Sequence, residues 1–266
     1  MSYLSLNLSN LIAAVKKASS SLDRDFSEIE QLQSSVKDYR TFVMNGYNKV
    51  ERVLRQELSR LRPNYAFAED GKPLPQGGYF VISPIGGLVN FIHGIAKFSV
   101  SVAMCENSAT IAAVIYNPAS DELFFAEKGM GAYKEGFRNH ERLRVSARKE
   151  PADALVALAS SPASAHLQYQ TQAKLAGHIS GIRCQGDSAL DLAYVAAGRL
   201  DSFIGYGLSY SELVAGMLLV KEAGGYIYEP TQKDIRTEDL TSVIASGDIF
   251  AVNANLNNKL YDLLNK

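Results

Sequence analysis

Residues 79–96, Tyr-Phe-Val-Ile-Ser-Pro-Ile-Gly-Gly-Leu-Val-Asn-Phe-Ile-His-Gly-Ile-Ala, constrain the fold of this chain more than any other stretch. The apolar run 79–82 reads as a short strand. Ser83-Pro84 interrupts it, and Gly86-Gly87 makes a sharp turn that can open a helix at Leu88. The result is a strand–turn–helix corner. Such a Gly-Gly turn lets backbone N–H groups converge on one point, where they and the helix dipole favour an anion such as phosphate. The same residues also serve as a plain tight turn, and both readings stand at this point.

With 266 residues and 47% hydrophobic content, the chain can bury a substantial core, as one large domain or two intimately packed halves. The N-terminus carries no basic segment ahead of its apolar residues, and Ser and Asn interrupt them, which argues against a secretory signal. No apolar run is long enough to cross a bilayer, so no membrane partner is expected. Cys105 and Cys184 lie far apart in apolar segments without metal-knuckle spacing; they read as buried free thiols, with a cytoplasmic location as the default. A formal net charge of -1 gives no global bias toward nucleic acid.

Apolar positions recur at three- and four-residue steps from 10 to about 32, which predicts a long amphipathic helix with an interruption near 19–21. Val50, Val53, Leu54, Leu58 and Leu61 predict a second helix, with Asn48 as N-cap and Pro63 just past its end. Residues 71–78 are a Gly- and Pro-rich loop. Stretches 98–105, 109–116 and 122–126 predict an antiparallel meander turning at Asn117-Pro118 and Lys128-Gly129.

From 154 onward strand and helix alternate: 154–159, helix 165–176, 181–185, helix 188–197, 201–206, helix 211–222, 226–228, then 242–245 and a closing helix 255–264. Alternation of this kind favours a layered α/β arrangement. Arg142, Arg144, Arg148 and Lys149 cluster where the halves of about 1–150 and 151–266 join. That cluster reads as solvated surface or as a protein or RNA contact, the RNA reading drawing also on Arg52, Arg55, Arg60 and Arg62.

The corner resembles the signature of the inositol monophosphatase family, Asp-Pro-Ile/Leu-Asp-Gly-Thr-Thr-Asn-Phe, in Pro84, Ile85, Gly87, Asn90 and Phe91. The family's first Asp is here Ser83, its second is Gly86 and its Thr is Leu88. Upstream, Lys37, Phe42, Val43 and Glu51 fit the family's Lys-x-x-x-Asp-Phe-Val-Thr-x-x-Asp segment, with Thr41, Met44 and Tyr47 at its first Asp, Thr and second Asp. Phe67-Ala68-Glu69-Asp70 matches the Gly/Thr-Glu-Glu step and puts Glu69 at a bridging-ligand position. The family's Pro-Trp-Asp is Tyr210-Ser211-Glu212, and its substrate-contacting Glu is Gly205. Segments 189–199 and 219–225 resemble the bacterial SuhB-like branch most densely.

That resemblance implies an α/β (α+β) inositol-monophosphatase-like αβαβα layered sandwich, a homodimer, and magnesium-dependent phosphomonoester hydrolysis. Through the SuhB-like branch it also implies a place in transcription antitermination, with RNA polymerase and Nus factors as partners. Cleaving a phosphate monoester takes up to ~10²¹-fold acceleration, and the resemblance assigns nearly all of it to magnesium. The five acidic ligand positions fall on Tyr47, Glu69, Ser83, Gly86 and Glu212. Two dications ~4 Å apart repel by roughly 15 kcal/mol at an effective dielectric of ~20, which two carboxylates do not offset.

The expectation is therefore a pseudoenzyme in which no cofactor is held at high occupancy. A single Mg²⁺ on Glu69, the Ile85 carbonyl and Glu212 is the residual option, and an anionic, phosphate-like ligand on Gly86, Gly87 and Leu88 is the binding option. Asp70, Asp187 and Asp191 are the candidate substitute ligands, with Asp187 reading first as an N-cap. Among the histidines, His93 alone has a position suited to an anion.

Overall fold

A computed structural model describes residues 4–32, 39–137, 139–231 and 240–265; Lys37 lies outside the described residues. The N-terminal periodicity resolves into α1 (Leu6–Ser19) and α2 (Leu22–Leu32), broken at the serine run as expected. Ser5 caps α1, its hydroxyl accepting from Leu8 N at 3.1 Å. The next helix, α3 (Tyr39–Leu61), starts well before the position expected, and Asn48 lies inside it rather than capping it. Val43, Tyr47, Val50, Leu54 and Leu58 carry one apolar stripe through the earlier residues, and that stripe packs into the core.

β1 (Ala66–Phe67), β2 (Gly78–Gly86), α4 (Leu88–Ile92), β3 (Ser99–Glu106), β4 (Ala109–Asn117), β5 (Glu122–Glu127), β6 (Gly131–Lys134) and β7 (Glu141–Arg142) follow. Among the described residues these strands form a seven-stranded sheet in chain order, β1 parallel to β2 and the rest antiparallel. The expected meander is its centre; β1, β6 and β7 extend it. Along β2 and β3 the side chains alternate. Phe80, Ile82, Val100, Val102 and Met104 face the cluster with α1 and α3, and Tyr79, Val81, Ala103 and Cys105 face the opposite side.

The second half supplies β8 (Leu155–Ser160), α5 (Ala165–Leu175), β9 (Gly181–Arg183), α6 (Ser188–Ala196), β10 (Ser202–Tyr206), α7 (Tyr210–Glu222), β11 (Tyr226–Tyr228), α8 (Thr241–Ser246), β12 (Ile249–Val252) and α9 (Asn257–Leu264). Its sheet has the order β11-β12-β10-β8-β9, with β12 antiparallel to both neighbours and β8 parallel to β9 and β10. Every residue of α6 is buried, as is Leu213 through Val220 of α7. Helices apolar all round belong between layers, and these two lie between the sheets. Gly216 allows their close crossing, since a Cβ there would come within 2.4 Å of Leu192 Cβ.

On the far face of the second sheet, Leu175 of α5 and Leu260 and Leu264 of α9 cover Val156, Leu158, Ile204 and Phe250. The layers run helix, sheet, helix, sheet, helix, the αβαβα sandwich expected. No described helix is long and apolar enough to cross a membrane. Both cysteines are free thiols, but only Cys105 is buried; Cys184 is exposed on the segment after the short β9.

Glu122 ties the halves together. Its carboxylate accepts from Lys134 at 2.9 Å, Arg199 at 2.7 Å and the Tyr194 hydroxyl at 3.1 Å. Burial alone would push its pKa up, but Arg199 and Lys134 pull it from an ordinary 4.5 to about 2. A depressed acid contributes stability above its unfolded pKa, lost as pH falls toward the folded one. Glu122→Gln is expected to cost about 1–2 kcal/mol near pH 7, allowing for solvent screening. Thermal denaturation should show the gap from wild type closing between pH 4.5 and 2.

Candidate functional site

The corner is built on a bulge. Ser83 sits opposite Ser101, the ladder is interrupted, and it resumes with Gly86 opposite Ser99. Pro84, which has no N–H to give to a ladder, falls in the interruption. Gly87 precedes α4 at φ +67°, and a Cβ there would lie 2.7 Å from the Lys97 carbonyl oxygen. Only glycine fits both constraints. No side chain caps α4. The helix is only five residues long, and its dipole adds little. His93 is the C-cap residue, at the opposite end of α4 from Gly87, which removes the positional case for an anion contact.

Asn90 locks the corner to the second half. Its Nδ2 donates to the Lys97 carbonyl at 2.7 Å and to the Gln185 carbonyl at 2.6 Å, just ahead of α6. Tyr47 of α3 is half-buried in the apolar cluster that also takes Leu88 and Ile85. Burial, with Glu51 and Asp70 nearby, pushes its phenol above the ordinary tyrosine value, so the group stays protonated at neutral pH.

Each acidic candidate has a hydrogen-bond or ion-pair partner within the fold. Glu69 is exposed and ion-paired with Lys72, whose ammonium holds its carboxyl below the usual range. Asp70 reaches across to the start of α7, accepting from Ser211 N at 3.0 Å and from the Ser211 hydroxyl. That places a carboxylate at a helix N-terminus, where the free donors favour it. Glu212, at the third position of α7, accepts from Ser209 N at 2.9 Å and Ser209 Oγ at 2.7 Å, the reciprocal half of a capping box.

Asp187 caps α6, accepting from Leu190 N at 3.1 Å, and Asp191 one turn on accepts from Gln185 Nε2. Burial pushes both carboxyls up, and the charge of Asp187 adds to the shift at Asp191. Ser83 is half-buried and makes its ladder pairing with Ser101. Among the described residues, no three His, Cys, Asp or Glu side chains are grouped as a metal centre requires.

Residues 7–266 match the model of the inositol monophosphatase family. The chain belongs to that family. It is 41% identical over 226 residues to an inositol-1-monophosphatase of Rhizobium meliloti, covering 82% of this chain and 84% of the relative. It is 33% identical over 267 residues to the Nus factor SuhB of Escherichia coli K12, covering 96% and 97% of the two chains. The crystal structure of extragenic suppressor protein suhB from Bartonella henselae superposes with a TM-score of 0.84 at 33% identity, over 98% of this chain and 100% of that one.

Within this inositol monophosphatase frame, the structure adds two residues that sequence reasoning passed over, Ser99 and Gln185, and gives Ser211, so far only a position in the motif, a partner in Asp70. Ser99 was accessible from the alternation of β3, because Ser99, Ser101, Ala103 and Cys105 share the face toward the second half. Gln185 and Ser211 act through partners far away in the chain, which no local pattern reveals.

Proposed function

We propose that this chain is a non-hydrolysing or severely impaired member of the inositol monophosphatase family that works by binding. In this reading it is a SuhB-like transcription antitermination factor of the cytoplasm, dimeric, with RNA polymerase or Nus factors as partners. The observation that carries it is the state of the acidic positions. Of the five, only Glu69 and Glu212 are carboxylates, and each is engaged by its own neighbour, Lys72 or Ser209.

Magnesium as a pair does not fit these residues. A protonated phenol at Tyr47 is a poor ligand for a hard dication, Gly86 has no side chain, and Leu88 offers no polar atom to orient a water. A single Mg²⁺ on Glu69, the Ile85 carbonyl and Glu212 would first have to displace Lys72 and open the cap at Ser209. What remains is shape: a glycine corner ahead of a short helix, which we read as suited to an anionic, phosphate-like ligand at Gly86, Gly87 and Leu88.

Similarity to an enzyme named inositol-1-monophosphatase favours a second reading, a magnesium-dependent phosphomonoesterase with an atypical site. A phosphate-release assay over inositol, sugar and nucleotide monophosphates separates the two. The expected result is release at background with millimolar Mg²⁺ or Mn²⁺, unchanged in Glu69→Gln and Glu212→Gln. Metal-dependent turnover that collapses in either variant would establish the phosphatase. Co-purification with RNA polymerase or Nus factors tests the binding role directly, and its absence counts against that role.

Three basic side chains on α3 and just past its end are engaged within the fold. Arg55, Arg60 and Arg62 donate to Glu51, Glu57 and Asn7 at 2.9, 2.7 and 2.6 Å. Arg148 of the junction cluster is likewise bound to Asp201 at 3.1 Å. These pairings engage four of the eight basic side chains an RNA contact would draw on.

A further inference from the structure

Residues 69–77 cross from the end of β1 to the start of β2 with little to hold them. They are exposed apart from the half-buried Leu74 and Pro75, and Leu74 packs against the core that α6 and α7 share. Among the described residues, the hydrogen bonds that tie 69–76 to the rest of the chain are the two that Asp70 accepts, from Ser211 N at 3.0 Å and from the Ser211 hydroxyl. Lys72 N donates to the Glu69 carbonyl at 3.1 Å, and the Lys72 ammonium pairs with the Glu69 carboxylate. Those contacts stay inside the segment. Gly71 and Gly77 sit at φ +75° and +78° with open space where a Cβ would be, which puts a glycine pivot on each side of Leu74.

The Asp70–Ser211 contact lies across the front of the corner. Asp187 packs on Gly86 and Gly87, and Glu212 is near enough to Asp187 to add to the upward shift that burial causes there. Ser211 precedes Glu212 on α7, its hydroxyl 3.2 Å from Ser209 Oγ. Asp70, bound to Ser211, is in turn near enough to Tyr47 of α3 to raise its phenol, behind burial and Glu51. Tyr47 shares its apolar cluster with Ile85 and Leu88 of the corner. One loop carboxylate thus completes a circuit from the second half to the first. The Ser211 hydroxyl stands where the family motif carries Trp, so that part of the contact belongs to this chain. We propose that residues 69–77 form a strap closed over the corner, that the Asp70 carboxylate latches it to the start of α7, and that cutting this latch opens the corner to solvent. A latched strap lowers the apparent affinity of anything that binds at the corner by the fraction of time it stands open. Whether the corner takes an anion or hydrolyses an ester does not bear on the strap.

Hydrogen exchange reads the latch, and thiol labelling reads access to the corner. Asp70 is exposed on a loop, so Asp70→Ala should fold. In that variant the amides of Ser211, Gly71, Lys72, Leu74 and Gln76 should exchange about tenfold faster than in wild type, because both bonds to the strap are lost. Asp70→Asn keeps an acceptor for the Ser211 N–H and should stay within about threefold of wild type. For access, Leu88→Cys is placed in a Cys184→Ser background, which leaves the buried Cys105 as the other thiol. Iodoacetamide should modify the thiol of Leu88→Cys about tenfold faster once Asp70→Ala is added. Val89, 68% exposed beside it, supplies the control: Val89→Cys should label at one rate with the latch intact or cut. Strap exchange that Asp70→Ala leaves unchanged overturns the proposal, since Leu74 alone then holds the segment. So does faster exchange with no gain in labelling at 88, or a gain that Val89→Cys shares.

Discussion

Asp201→Ala is expected to destabilise the fold by about 3–5 kcal/mol, the loss typical of breaking a buried, fully hydrogen-bonded charge. The Asp201 side chain has 0% exposure. Its Oδ2 accepts from Leu155 N at 2.8 Å, and its Oδ1 from Arg148 at 3.1 Å and from the Ser146 hydroxyl. Asn253 Nδ2 donates to Ser146 Oγ at 2.8 Å, bringing the end of β12 into the same network. One carboxylate thereby joins the connection between the halves to β8, β10 and β12. Removing it leaves a buried backbone N–H and a hydroxyl without their acceptor, each at a desolvation cost, and takes the carboxylate from the half-exposed Arg148. At 2–4 °C per kcal/mol, the fall in Tm should be about 6–20 °C. Arg148→Ala should cost only about 1 kcal/mol, because the guanidinium is half-exposed and screened. Equal, small losses in both variants would show that the network is not what fixes the junction.

Much of the architecture could be read before any coordinates because its central helices are written in unusual residues. α6 and α7 are apolar through their buried lengths, and the one glycine within them, Gly216, sits where they cross, a pattern with few places to go except between layers. The start of α3 was missed for an instructive reason. The stripe Val43, Tyr47, Val50, Leu54 is continuous at helical spacing, but the segment was read through its resemblance to a ligand motif, and motif letters displaced periodicity. β1 and β7 have two residues each, too few for any period to register. At the site, substitutions along the motifs were visible position by position. What they face was not. That Asp70 ends on Ser211, or that Asp187 points at Gly86, depends on how two halves of the chain dock, and no spacing in the sequence encodes it.

That docking also decides how a paired-metal site could be rebuilt, with the largest change in behaviour expected of any variant here. Restoring acid at the corner means Gly86→Asp, yet the new Cβ would meet Ser99 Oγ at 3.0 Å and the Asp187 carboxylate at 3.2 and 3.3 Å. The new carboxylate would then compete for sealed space with an existing one, combining overpacking with like-charge repulsion. In chelator-treated protein, Gly86→Asp alone is expected to cost about 2–4 kcal/mol. Asp187→Ser keeps an N-cap hydroxyl, clears that volume, and should recover most of the loss when the two are combined. Denaturant titration of the four proteins in the cycle should give a coupling of at least about 2 kcal/mol; additive costs would mean that the two positions do not share the space. On the paired background, Ser83→Asp, Tyr47→Asp and Leu88→Thr then supply carboxylates and a hydroxyl at positions now holding Ser83, Tyr47 and Leu88. Mg²⁺ binding by calorimetry should tighten by about a hundredfold, near 3 kcal/mol, as ligand charge accumulates. Phosphate release from a monoester should rise above background only in the variant that carries Asp187→Ser with the restored acids. If the same restorations work with Asp187 intact, the carboxylate facing Gly86 is not the obstacle.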